Sequence, residues 1–139
     1  MLLLYLIKIL RRWCCVTIDK WKYFKLDEFA CPCGCGRHYD KMDHELIDFL
    51  DMMRGDYGYP IIINSGYRCP SYNTTIGGSM QSAHMRGMAA DLHCPDSATR
   101  FWMVDYLIAS EIKRIGIGSN FLHIDIDWRL PQGVIWTYS

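Results

Sequence analysis

A chain of 139 residues in which 15 lysines and arginines balance 15 aspartates and glutamates is long enough for one domain with its own core and short for two. The formal charge of zero and the lack of any basic stripe argue against nucleic-acid binding driven by phosphate contacts. The expected partner is small or uncharged overall.

The chain begins "MLLLYLIKILRRWCC". Its apolar run is too short to span a bilayer and its positive charges follow the run instead of preceding it, so it is neither a spanning helix nor a well-formed signal peptide. Synthesis in the cytoplasm is the matching expectation. Leu2, Leu6, Ile9 and Trp13 share one helical face opposite Lys8, Arg11 and Arg12. A short amphipathic helix is expected, packed on the domain or a partner in preference to a membrane. A start read too far upstream is the other account. Residues 1–23 are read as an N-terminal amphipathic extension and 24–139 as the folded domain.

The seven cysteines are unevenly placed: Cys14 and Cys15 adjacent, Cys31, Cys33 and Cys35 alternating, Cys69 and Cys94 alone. An odd number cannot all pair, and "CPCGCG" is too tight for easy internal disulfides. Two readings stand. Cys31, Cys33 and Cys35 with Cys69 form a closed structural zinc site, or the cysteines are small buried apolar residues of a reduced chain.

"KLDEF" suits a short helix start. From Met42 to Met53 the apolar residues Met42, Leu46, Phe49, Leu50 and Met53 follow helical spacing, with Asp43, Glu45, Asp48 and Asp51 outward and Gly55 and Gly58 ending the helix. "YPIIINSGYR" predicts a buried strand from Ile61 to Asn64 and a Ser-Gly turn. The stretch from Cys69 to Gly78 reads as loop with one helical turn. In "GGSMQSAHMRGMAADLHCP", Gly77 and Gly78 turn the chain before Ser82 and His84, and Gly87 bends it again into a strand carrying Asp91. Asp96 and Ser97 cap a helix from Ala98 to Ala109, with Phe101, Val104, Tyr106, Leu107 and Ile108 as its apolar side. "RIGIGS", "FLHIDID" and "GVIWTY" read as an antiparallel ribbon. Early helices and late strands predict an α+β domain, an antiparallel sheet covered by a few helices.

A strand over "FLHIDID" puts His123, Asp125 and Asp127 on one face. Catalytic zinc takes three protein ligands, commonly histidine and carboxylate, and leaves a fourth position for water. His84, Asp91 and His123 supply that count from three segments able to converge.

The stretches "INSGYRCPSYN" (63–73), "GGSMQSAHMRGMAADLH" (77–93) and "NFLHIDI" (120–126), in this order, resemble the zinc D-Ala-D-Ala carboxypeptidases and their phage and bacterial peptidoglycan-peptidase relatives. "FKLDEFACPCGCG" is similar to the lead-in of phage-type members, and the resemblance covers roughly residues 24–128. It implies the hedgehog/DD-peptidase-like fold, zinc as cofactor, and His84, Asp91 and His123 as its ligands. It implies further that Arg68 binds a substrate carbonyl or carboxylate and steadies the oxyanion, and that Ser82 hydrogen-bonds substrate. The implied substrate is a bacterial peptidoglycan peptide containing a D-amino acid, the implied protein a monomer released at lysis or carried in a phage virion.

One position departs from the family. Many relatives place Glu, Asp or His three residues before the last zinc histidine, and here Asn120 stands there, unable to take a proton. Asp125 is therefore expected as general base, accepting the proton of the attacking water, ahead of His93. A register with Asp125 as ligand and His123 as base stays open. Asn120 also sustains a second reading, a non-catalytic wall-binding or virion module of the same fold. His38 and His44 are expected to be solvated, Tyr67, Tyr72 and Trp128 to pack, Asn73 to support its loop, and Asp127 to be an exposed strand residue.

Overall fold

A computed structural model describes residues 20–36 and 39–138. The expected amphipathic helix, Cys14, Cys15 and His38 lie outside the described residues. Among these, no helix is long and apolar enough to cross a membrane.

Helix α1 (His44–Tyr57) starts at Asp43, whose side chain accepts from the Glu45 amide and satisfies one free N–H of the first turn. It runs through Gly55, where the spacing had suggested a stop, and ends at Gly58. Ahead of it the Trp21 ring N–H donates to Asp48 at 2.7 Å and the Tyr23 amide donates to Asp51 at 2.7 Å. Trp21 and Tyr23, ahead of the expected start at position 24, are thus docked on α1. Strand β1 (Ile63–Ser65) leads into helix α2 (Pro70–Thr75), with Cys69 capping it through Sγ. The expected loop therefore holds a full short helix. Strand β2 (Ala89–His93) follows, then helix α3 (Ser97–Ala109), capped by Asp96 through the Thr99 amide at 2.8 Å. Strands β3 (Arg114–Ile117), β4 (Phe121–Asp125) and β5 (Val134–Thr137) complete the chain.

The five strands form one sheet in the order β1-β2-β4-β3-β5. The domain is α+β as expected, but its sheet is mixed. Three pairings are antiparallel, while β5 runs parallel to β3. The reason is occupancy: β2 and β3 take both edges of β4, so the chain leaving β4 must pass the start of β3 and pair on its far side, where Arg114 meets Val134. An antiparallel ribbon of the last three segments would have needed the β4 edge that β2 holds.

Period-two alternation splits the sheet into two faces with different work. Ala90 and Leu92 of β2, Ile115 of β3, and Leu122 and Ile124 of β4 are buried with Leu46, Ile47, Leu50 and Met53 of α1 and Met103 and Leu107 of α3 in one core. Phe101 and Ile108, expected on the apolar side of α3, are instead 75% and 54% exposed, because Trp102, Met103, Tyr106 and Leu107 set the phase of that helix. On the opposite sheet face stand Asp91, Arg114, His123, Asp125 and Trp136. Asp91 and His123 are directly paired across β2 and β4.

Candidate metal centre

His84 arrives from a 3-10 turn (Ala83–Arg86) whose end requires glycine. Gly87 has φ +70°, and a Cβ there would lie 1.8 Å from the Lys41 carbonyl oxygen. That bend brings the histidine back over β2, so Asp91, seven positions later, reaches the same point. His123 comes from the neighbouring strand. The Asp91 Oδ1, His84 Nε2 and His123 Nδ1 atoms form a triangle with sides of 2.9, 3.1 and 3.2 Å. A tetrahedral zinc with ligands at ~2.0 Å has edges of roughly 3.3 Å, so the three atoms fit that ion.

The other side of each ring decides the charge pattern. His84 Nδ1 is 2.7 Å from the Gly66 carbonyl oxygen, which can only accept, so that nitrogen carries the hydrogen. His123 Nε2 is 3.0 Å from Asp125 Oδ2 and donates to it in the same way. In neutral rings Nε2 of His84 and Nδ1 of His123 are therefore bare, and with an ionised Asp91 three lone pairs face one another. A cation must lie among them, either a proton or a metal. Burial by itself would raise the Asp91 carboxyl, but the His123 and His84 rings beside it, once one of them carries the proton that the three share, hold it well below the usual carboxylate range. Burial lowers His84 and outweighs the pull of Asp91. Burial also opposes charge on His123, yet its bonds to Asp125 and Asp91 raise it above the ordinary imidazole value.

Arg68 follows β1 and lines the cleft of about 410 Å³ that opens at the trio. Its Nε donates to Ser65 Oγ at 2.8 Å and its terminal nitrogen to Asp91 Oδ2. Ser82 also lines the cleft, and its side chain makes no cap bond to the turn it precedes. His93 lies on β2 but outside the cleft lining, and Asn120 is exposed. His44 is exposed and sets its ring edge on Trp21 at 5.2 Å. Asn73 is buried and donates to the Ser79 carbonyl at 2.9 Å, supporting the loop that leads to Ser82.

Asp125 stands behind His123, on the ring nitrogen away from the trio. Its Oδ2 takes the His123 N–H, and its Oδ1 accepts from Arg114 Nε at 2.7 Å and from the Asp127 amide at 3.2 Å. Both oxygens are engaged by these donors. Asp127, expected to be exposed, is fully buried and held by Arg86 Nε at 2.5 Å and Arg129 Nε at 2.8 Å. Trp128, expected to pack, is 74% exposed, with the Arg129 guanidinium 5.7 Å over its ring.

Arg114, Trp136 and Tyr138 escape the sequence reading. Arg114 braces Asp125 and lies 5.1 Å over the Trp136 ring, while Trp136 and Tyr138 wall the cleft beside His123. Alternation in "RIGI" and "VIWT" carries a signal for them, since it sends Arg114 and Trp136 to the face of His123.

The sequence model described as Peptidase M15 matches residues 22–127 of the chain. No curated protein matches it.

Proposed function

The chain belongs to the Peptidase M15 family, a family of metallopeptidases, and from that premise we propose that it is a zinc-dependent hydrolase of bacterial peptidoglycan, cutting a peptide bond that involves a D-amino acid. The observation that supports this most is the convergence of three lone pairs, from His84, Asp91 and His123, at the floor of a cleft. When bound there, zinc supplies a Lewis acid that polarises a scissile carbonyl and acidifies water toward a pKa of ~7.

The chain's own residues do the rest. Arg68, held in orientation by Ser65, offers a permanent charge to the carbonyl oxygen or terminal carboxylate of the peptide. Ser82 offers a hydroxyl to the peptide backbone. Asp125 takes the part of a positioning residue: it accepts from His123 Nε2, fixes that tautomer and raises the basicity of the ligand nitrogen. Arg114 keeps Asp125 in place, and Trp136 and Tyr138 offer apolar walls to the peptide. The protein acts as a monomer in this reading.

Digestion of purified peptidoglycan, followed by mass spectrometry of the products, tests the reading and names the bond. A new free D-amino acid would identify a carboxypeptidase, and paired peptide fragments an endopeptidase.

A second reading, wall binding without cleavage, draws on one observation. The carboxylates lining the cleft are Asp91 and Asp125, and both are already engaged by arginine and histidine. Retention on insoluble peptidoglycan with unchanged wall chemistry would favour it.

A further inference from the structure

Away from the cleft, a second group of ligating side chains gathers where the chain enters the domain. Cys31, Cys33, Cys35 and Cys69 bring their sulfur atoms within 4.8 Å of one another. Cys31 and Cys33 are 3.3 Å apart, and Cys33 and Cys69, 36 positions distant in sequence, are 3.5 Å apart. A disulfide requires about 2.05 Å. Four thiolates at ~2.3 Å from a zinc ion have tetrahedral edges of roughly 3.8 Å. Separations of 3.3 and 3.5 Å lie close to the second figure and far from the first, and all four thiols are free.

We propose that Cys31, Cys33, Cys35 and Cys69 form a closed four-thiolate zinc site, separate from the trio in the cleft. With sulfur in every position such a site has no opening for water and is structural. Alternate residues of an extended chain point the same way but lie ~6.6 Å apart, so three alternating cysteines reach one point only if the chain curls. Gly34, at φ +74° between Cys33 and Cys35, supplies that curl. Three backbone amides then point at sulfur: Cys35 N to Cys33 at 3.4 Å, Cys69 N to Cys31 at 3.3 Å, and Tyr72 N to Cys69 at 3.4 Å. Donors so placed stabilise negative charge on the sulfurs, as a bound thiolate requires. An apolar role fits less well, because Cys33 and Cys35 are exposed.

The location gives the site its use. Cys69 directly follows Arg68, and Gly66, three positions before Cys69, supplies the carbonyl that fixes the His84 tautomer. Tyr67 between them is tied to the entry segment by its amide, which donates to the Phe29 carbonyl at 2.9 Å. Metal at the four cysteines fastens the other end of this short stretch. It thereby holds Arg68 and Gly66 in place from the side away from the cleft.

The test is metal content and cobalt spectroscopy on protein prepared under reducing conditions. Wild-type chain is expected to hold two zinc ions, and the His84→Ala/His123→Ala double variant one. Cobalt loaded into that double variant should give strong sulfur-to-cobalt charge-transfer absorption, and the band should vanish in Cys33→Ser/Cys35→Ser while one zinc remains. A double histidine variant that binds no metal, or binds it without the sulfur band, overturns the proposal, as does mass mapping of native disulfides among these cysteines. If either variant fails to fold, zinc-edge absorption of the wild type decides: sulfur neighbours support the site and their absence overturns it. Failure of wall digestion would leave every one of these readouts unchanged, so this inference and the peptidase reading fall separately.

Discussion

His84 Nε2 and His123 Nδ1 stand 3.1 Å apart with their opposite ring nitrogens already committed, one to the Gly66 carbonyl and the other to Asp125. Two bare nitrogens at that distance, beside an ionised carboxylate, repel unless a cation lies among them. This makes metal and proton competitors for one place. Burial works against charge on His123, but its bonds to Asp125 and Asp91 raise its pKa above 6.5, so in metal-free protein it is the ring that takes the proton. The raised value adds stability to the metal-free fold that is fully present below the unfolded pKa of about 6.5 and is lost as pH rises through the folded value. Zinc affinity should run the opposite way. Titrations from pH 8 downward should show affinity beginning to fall above pH 6.5, by up to ~10-fold per unit for one displaced proton. A flat affinity down to pH 6 would contradict this assignment.

Arg68→Lys keeps a positive charge but loses the planar fork that lets Nε bind Ser65 while the terminal nitrogen faces Asp91. Turnover should fall ~100-fold, the usual scale for loss of an oxyanion donor, with zinc still bound. Steady-state kinetics paired with metal analysis checks both halves. Unchanged turnover would remove Arg68 from the chemistry.

Asp125→Asn separates positioning from proton transfer. The single amide oxygen can still accept from His123 Nε2, but it carries no charge to raise the ligand's basicity, and the amide NH2 then faces Arg114 Nε–H donor to donor, so that bond is lost. Zinc affinity and turnover should therefore drop together, by roughly 10–100-fold. Full zinc occupancy with turnover abolished would instead make Asp125 the proton acceptor.

Gly87→Ala should cost more than any other single methyl near the site. The positive φ alone carries a penalty of about 1–3 kcal/mol, and the added carbon would overlap the Lys41 carbonyl. His84 and Asp91 flank the bend on either side, so thermal unfolding at a lower temperature should be accompanied by weaker zinc binding. A variant with wild-type melting and zinc content would show that the bend tolerates a side chain.

The convergence of His84, Asp91 and His123 was legible because each of the three sits in a short stretch whose local rules are strong. Gly87 marks a bend, the run to His93 a strand, and alternation in "FLHIDID" fixes the face of His123. The sheet order was less legible. Nothing within "GVIWTY" says which edge it joins, since that depends on β2 filling the far side of β4, a contact between segments distant in sequence. The same limit applies to Asp125 and Asp127. Alternation places both beside His123, but only the arrival of Arg114 from β3 and of Arg86 and Arg129 from two loops shows that these carboxylates are braced and buried. Helix α3 misled in phase because Phe101 and Ile108 are large and apolar yet point outward.

In the proposed function, cleavage of the wall depends on metal held by His84, Asp91 and His123. Its most direct measurement is zinc add-back to chelator-stripped protein, with peptide-bond hydrolysis in purified peptidoglycan followed by mass spectrometry alongside bound zinc. Hydrolysis should be absent in stripped wild type, should return as the trio fills, and should stay absent in His84→Ala at any zinc concentration. Cleavage by stripped protein, or by His84→Ala at the wild-type rate, would contradict it.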